Sequence, residues 1–303
     1  MKAAKQVLSL ATRAVHAGEP ERRPGAPITT PVYHSSMFLT GEPGRYDDIR
    51  YIRSSNMPNH EALGRKLADL EGAEAGLVTS SGMAAITASL LVALGRGGHL
   101  VAQNTLYGGT HSFVTHDLQD FGLAYTFIDA TSPAGWEAAL RPETKAVYVE
   151  ALTNPRLEVA DLEGIVRFAR SHGLTTLIDS TFATPVNFRP IEMGFDLVIH
   201  SATKYLNGHS DLVAGCVAGS AALVEQVRHS SSTWAAAPTP TPASCSSVAS
   251  RRSRCGWRRR TRARSRWRRG WSATRRWRRS TIPAWPATRS TSAPAVSSRA
   301  SAA

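Results

Sequence analysis

The chain is poor in the residues that build covalent or metal-held scaffolds. It has three cysteines in 303 residues. Cys216 sits in a small apolar segment, LVAGCVAG, and reads as a buried thiol. Cys245 and Cys255 lack the paired spacing and neighbouring histidines that a zinc site needs. Neither a metal nor a disulfide is expected. No apolar run is long enough to span a bilayer, and Met1 to Leu10 lacks the apolar centre of a secretory signal, so a cytoplasmic location is expected. From Trp234 onward lysine and acid are both absent, although that segment holds 17 of the 36 Lys+Arg, all as arginine, and six of the seven tryptophans. The rest of the chain carries 19 Lys+Arg against 23 Asp+Glu, so the formal charge of +13 originates in the tail and the body is mildly acidic.

Up to about Arg228 the pattern is that of one large α/β domain. Apolar runs at 98–102, 122–128, 145–151, 174–179 and 196–200 read as strands, with helical segments such as Leu162 to His172 between them. Connections of that kind predict a mostly parallel sheet. Residues 1–60, with Pro27, Pro31, Pro43 and several glycines, read as an extended N-terminal arm, 61–230 as the large domain and 231–303 as the arginine-rich tail.

One stretch carries chemistry. In Leu197 to Asp211 (LVIHSATKYLNGHSD) the single lysine, Lys204, follows an apolar strand-like run and is flanked by the hydroxyls of Ser201 and Thr203. A lysine desolvated at such a strand end can attack an aldehyde, and hydroxyls beside it can hold an anion. A solvated surface lysine has the same local sequence. Upstream, Leu174 to Asp179 (LTTLID) reads as a second buried strand that ends in an acid. Acids at strand carboxyl ends lie where α/β sheets bind ligands, and such an acid can keep a pyridinium nitrogen protonated. Its bland alternative is a helix N-cap. Ser80-Ser81-Gly82-Met83 joins the apolar run Ala75 to Val78 to a helical segment, Met83 to Leu94, whose first N–H groups would face an anion.

Together these residues resemble the pyridoxal-phosphate enzymes of cysteine and methionine metabolism, the group of cystathionine γ-synthase, cystathionine γ-lyase, cystathionine β-lyase and the O-acylhomoserine sulfhydrylases. The resemblance runs from about Leu10 to Val227, and SATKYLNGHSD matches the family's lysine signature as a whole phrase. It implies a PLP-dependent transferase fold of type I and pyridoxal 5'-phosphate as cofactor. By that resemblance Lys204 is the Schiff-base lysine, Asp179 partners the pyridine nitrogen, and Gly82, Met83, Ser201 and Thr203 are phosphate ligands. Tyr107, in LYGGT, matches the tyrosine that stacks on the cofactor ring and acts in proton transfer. Asn154, in EALTNP, matches the residue near the ring oxygen. Tyr51 and Arg53 (YIRSSN) match a pair that reaches across a dimer interface to a neighbour's phosphate. Here Met57 separates Asn56 from Pro58, whereas relatives join Asn to Pro directly, so the turn departs from the family pattern. Outside the resemblance, Tyr107 reads as a core tyrosine before a Gly-Gly turn, and Asn154-Pro155 as a turn.

The tail has three readings. Arginines interleaved with Trp257, Trp267, Trp271 and Trp277 suit nucleic-acid binding by phosphate contact and base stacking, and a basic linker without structure has a similar composition. The preferred reading is an out-of-frame translation of the family's carboxyl-terminal domain. In one shifted frame Pro238 to Trp257 can read DPHACFLLERGLKTLALRV, and Arg279 to Thr291 can read VHYPGLASHPQH. Both strings are similar to family segments and stand in the family's order. A selected nucleic-acid-binding tail has no reason to exclude lysine, whereas shifted GC-rich codons yield Arg, Ala, Ser, Pro and Trp. The switch is expected between Arg228 and Trp234.

The expected function is a PLP-dependent transsulfuration enzyme acting on cystathionine or an O-acylhomoserine, of γ type by LYGGT, and a homodimer or homotetramer when intact. A β-lyase or sulfhydrylase of the same family is the alternative. From other classes come a non-catalytic pseudoenzyme and a basic-tail nucleic-acid binder. An aminotransferase of the same fold fits Lys204 and Asp179 but not YGGT or SATKYLNGH. The resemblance also puts the arginine that clamps the substrate carboxylate in the carboxyl-terminal domain, with no in-frame equivalent after Val227. The chain with this tail is therefore expected to be inactive or nearly so.

Overall fold

The computed structural model describes residues 8–21, 23–40, 49–234 and 236–239. Nearly all of the tail, with Cys245, Cys255 and every one of its arginines, lies outside the described residues, and so do the readings placed on it.

Seven strands form one sheet: β1 (Ala75–Thr79), β2 (His99–Gln103), β3 (Ala124–Ile128), β4 (Thr144–Glu150), β5 (Thr175–Asp179), β6 (Leu197–His200) and β7 (Gly215–Gly219). Their order is β1-β7-β6-β5-β4-β2-β3. The β6-β5-β4-β2-β3 part is parallel, while β7 runs antiparallel to both β6 and β1. The mostly parallel sheet read from the sequence is therefore present. Strands β2 to β6 are its five apolar runs. Strands β1 (AGLVT) and β7 (GCVAG) are built largely from small residues, which leave a fainter strand pattern. The chain steps from β2 outward to β3 but from β4 the other way to β5 and β6. Strand order thus reverses between β2 and β4, where a crevice opens at the carboxyl ends.

Among the described residues eight α-helices accompany the sheet: α1 (Leu10–His16), α2 (Pro58–Glu71), α3 (Gly82–Leu94), α4 (Gly108–Ser112), α5 (Leu162–Ser171), α6 (Thr184–Asn187), α7 (Pro190–Met193) and α8 (Ala221–Thr233). Helix α3, GMAAITASLLVAL, is apolar on almost every side, so it can only be stable when covered all round. It packs on the sheet and against α8, and its Ile86, Leu90 and Leu94 enter the main core. Ser81 starts it by accepting the Ala84 N–H at 3.0 Å. Helix α5 is two-faced: Leu162, Ile165, Val166, Phe168 and Ala169 are buried, and Asp161 caps it through the Gly164 N–H at 3.0 Å.

Residues 23–40 take no helix or regular strand, whereas α1, a short 3-10 turn at Ile52–Ser54 and the start of α2 at Pro58 are helical within residues 1–60. Ser9 caps α1, and the fully buried Lys66 of α2 donates to the carbonyls of Ala14 at 3.0 Å and Val15 at 3.2 Å while pairing with Glu19 at 3.2 Å. A cation at a helix C-terminus is favourable, and its carboxylate partner makes burial tolerable. No helix among the described residues is long and apolar enough to cross a membrane.

Helix α2 lies so close to β1 that Gly64 and Gly76 touch backbone to backbone, and a Cβ on either would strike the other's carbonyl oxygen. Gly76→Ala should therefore lower unfolding free energy by about 1–3 kcal/mol in urea titration. Gly108→Ala, where nothing lies within 4 Å, should change it little. Equal effects of the two substitutions would show that the α2–β1 approach is not tight.

Candidate active site

The carboxyl ends of β2, β4, β5 and β6 and the start of α3 enclose a cleft of about 270 Å³. Eight of the ten residues singled out from the sequence line it: Gly82 and Met83 from α3, Tyr107 after β2, Asn154 after β4, Asp179 at the end of β5, and Ser201, Thr203 and Lys204 after β6. They come from segments far apart in the chain, and the parallel register brings them to one edge.

The turn after β6 is built locally. Lys204 N–H donates to the Ser201 carbonyl at 3.1 Å and Gly208 N–H to the Lys204 carbonyl at 2.8 Å. Ala202 and Leu206 sink into a small core cluster with Leu63, Val78 and Cys216, which turns Lys204 outward. Lys204 is exposed at the cleft mouth, not desolvated as the sequence suggested, because the cleft opens to solvent on that side. Cys216 is the buried free thiol anticipated, and burial pushes its pKa far up.

At the other end, a Cβ on Gly82 would lie 2.7 Å from Ser201 Cβ and 2.9 Å from its Oγ. Only glycine lets the start of α3 come this close to the hydroxyl. The Gly82 and Met83 N–H groups precede the first intrahelical bond, so helix geometry leaves them pointing out for an acceptor. Thr203 is differently placed: its Oγ1 donates to the Ala214 carbonyl at 3.2 Å and accepts the Ala214 N–H at 3.1 Å, so its proton is engaged with the backbone.

Asp179 ends β5 at the cleft floor, with Oδ1 accepting the Thr181 N–H at 2.8 Å. Burial raises its pKa, and the bonds from Thr181 and the field of His200 oppose that rise. Thr181 was not singled out from the sequence, yet its Oγ1 accepts the Ser201 N–H at 2.8 Å and so ties the turn after β5 to the turn after β6. Glu150 was also missed. It ends β4 in direct register with Asp179. Its Oε1 accepts the Tyr107 N–H at 2.6 Å and its Oε2 the Asn154 N–H at 3.2 Å. The signal was in the sequence: the run AVYVE closes on an acid just as LTTLID does.

Tyr107 stands at the N-terminus of α4, 45% exposed. A Cβ on Gly109 would lie 2.7 Å from its ring and 3.0 Å from Met83 Sδ, so the second glycine of LYGGT makes room for the ring beside Met83. Tyr51 and Arg53 are not in this cleft. Arg53 donates to the Ser232 carbonyl at 2.9 Å, and its guanidinium lies 5.2 Å from the centre of the Tyr51 ring. Ser55 takes a left-handed conformation before Met57 and Pro58, and Met57 is fully buried.

Comparisons with known proteins point to a single family. The family model for Cys/Met metabolism PLP-dependent enzymes matches residues 11–247. The chain is 41% identical over 236 residues to L-methionine gamma-lyase of Pseudomonas putida, covering 75% of this chain and 59% of that protein. It is 41% identical over 208 residues to a probable cystathionine gamma-synthase of Herpetosiphon aurantiacus, covering 68% of this chain and 64% of that one. The solved structure of cystathionine gamma-lyase from Lactobacillus plantarum complexed with L-serine superposes with a TM-score of 0.77 at 32% identity, covering 82% of this chain and 65% of that chain. The chain thus spans less than two thirds of the length of each.

Burial first, and the neighbouring Asp179 second, push the pKa of Glu150 from 4.5 up to about 8 against the two N–H bonds that favour the anion. A carboxyl that holds its proton more tightly when folded contributes stability that is complete below about pH 4.5 and is lost as pH rises through about 8. The difference in unfolding free energy between wild type and Glu150→Gln should therefore shift against the wild type by up to about 1.4 kcal/mol per pH unit across that window. Urea titrations at a series of pH values check this, and parallel pH profiles would mean that Glu150 does not titrate there.

Proposed function

Because the chain belongs to the family of Cys/Met metabolism PLP-dependent enzymes, we propose that its cleft holds pyridoxal 5'-phosphate and that the protein is a lyase or transferase of sulfur amino acids. The observation that carries this reading is the meeting of Lys204, Asp179 and the first turn of α3 in one cleft. An exposed amine, an acid set into the floor, and helix N–H groups beside a hydroxyl suit a group with an aldehyde, a basic ring nitrogen and a phosphate. The close fit of Gly82 against Ser201 is a cradle that any side chain at residue 82 would fill.

Bound pyridoxal phosphate supplies an electron sink for negative charge at a substrate carbon. The protein's part follows from the side chains. Lys204 Nζ would be the residue that holds the aldehyde end of the group, and as a free amine it would be placed to take a proton from the substrate α-carbon. The Asp179 carboxyl, whose pKa burial raises, would partner the ring nitrogen and favour its protonated form. Gly82 and Met83 N–H, with Ser201 Oγ, hold the phosphate, and Thr203 supports that turn through Ala214. Tyr107 would cover a face of the ring and exclude water from it, and Asn154 would serve the ring oxygen.

For the substrate, the reading rests on LYGGT, which is similar to the γ-type enzymes, since relatives of similar identity are named methionine gamma-lyase, cystathionine gamma-synthase and cystathionine beta-lyase. We assign elimination or replacement at the γ-carbon of a sulfur amino acid or O-acylhomoserine. Tyr51 and Arg53, outside the cleft of their own chain, are assigned to the phosphate of a second copy. The arginine-rich tail is assigned to a shifted reading frame on its composition, so turnover by this chain should be low beside that of a frame-restored version.

Borohydride reduction of the loaded protein followed by peptide mapping should place the pyridoxyl group on Lys204; its appearance on another lysine would overturn the assignment. Arg53→Ala should lose cofactor on dialysis faster than wild type, and equal retention would remove its role. Cystathionine, methionine and O-acylhomoserine, given to this chain and to the frame-restored version, should yield α-keto acid and ammonia mainly with the latter. Amino transfer to a second keto acid would identify a transaminase instead.

A further inference from the structure

We propose that Glu150 is a positioning residue: its one carboxylate holds the backbone of Tyr107 and the backbone of Asn154, and so fixes two walls of the cleft at once. That a cofactor ring lies between those walls rests on the function proposed above; the clamp itself rests on geometry alone. Glu150 is the last residue of β4, the strand beside the reversal in strand order, and it is 3% exposed. Its Oε1 accepts from Tyr107 N at 2.6 Å, and its Oε2 from Asn154 N at 3.2 Å. Its own N–H donates to Gln103 Oε1 at 3.0 Å, and Gln103 ends β2, four residues before Tyr107. Strand β2, the loop that follows it, and β4 are thus linked by Gln103 and Glu150, and the second carboxylate oxygen adds the loop after β4.

A side chain needed only to fill this space would be apolar, since a buried carboxyl costs more than an isosteric apolar group unless its oxygens are paired. Here both oxygens are paired, each with a backbone donor. Glutamine has one acceptor oxygen and would set an NH₂ against one of the two N–H groups. Aspartate keeps the charge but is one carbon too short to reach both loops. The titratable groups that face Glu150 are Asp179 across the β4–β5 pair, Tyr148 on its own strand and Tyr107 in the loop it holds, with Lys204 in the same cleft. Because Glu150 keeps its proton up to about pH 8, the clamp is measured above that pH.

The test is amide hydrogen exchange on the full chain without cofactor, read by mass spectrometry at about pH 9. In Glu150→Gln the segments around Tyr107 and Asn154 should both lose protection, by about tenfold or more, while the peptides of β5 and β6 keep theirs. Wild-type protection of either segment in folded Glu150→Gln would overturn the proposal. If that variant does not fold, Glu150→Asp decides the matter. Loss of protection in at least one of the two segments supports the clamp, and wild-type protection in both overturns it. Loaded with pyridoxal phosphate, Glu150→Gln should bind the cofactor about tenfold more weakly and shift the pH midpoint of its visible absorption, and an unchanged spectrum would count against the clamp. A wild-type chain that takes up no cofactor would defeat the function proposed above, whereas the exchange result would still stand for Glu150.

Discussion

The parallel register of β4, β5 and β6 is the constraint on which the cleft depends. It sets Glu150 beside Asp179 and Asp179 beside Ile199, so the strands end together and the turns after them open on the same side. A slip of one residue in any of these pairs would turn each side chain to the opposite face. The apolar faces prevent that slip, because Val147, Val149, Ile178, Leu197 and Ile199 are all fully buried. The chemistry at the edge is therefore held in place by the hydrophobic core beneath it.

That edge concentrates acid in a place where charge is costly. Asp179 and Glu150 share the cleft floor, and burial raises both pKa values. The surrounding structure offers each of them backbone donors, which limits the penalty but does not remove it. Deeper in, His200 Nε2 meets Glu71 Oε1 at 2.6 Å, with both side chains almost fully excluded from water. This contact ties the end of α2 to the end of β6, directly under the turn that presents Lys204. Removing one member would leave a buried polar group without its partner, at a cost of roughly 1–3 kcal/mol, so the contact helps hold the lysine turn in place.

The relatives differ in the sulfur amino acid that they are named for, yet each matches this chain at 41% identity, over 236, 208 and 209 residues. Discrimination among substrates must be made by groups around the substrate's own side chain, and the matched region falls short of the relatives' full length.

Much of the site was legible in the sequence, because its key residues sit in contiguous phrases with local causes. SATKYLNGHSD encodes its own turn, LTTLID ends a strand on an acid, and SSGM carries its helix cap within four residues. Strands β2 to β6 could be read for the same reason: continuous apolar runs mark strands, and all of these but the edge strand β3 lie inside the sheet. What local pattern could not supply was proximity. Only the paired strands reveal that Glu150 stands next to Asp179 and reaches back to Tyr107, that Thr181 joins the turns after β5 and β6, and that the Thr203 hydroxyl is engaged with Ala214. The sequence determined which groups were available and which strand each one ends. Tertiary structure decided which of them touch, because hydrogen bonds between strand ends depend on the order and register of the sheet, and neither is written in any single stretch of chain.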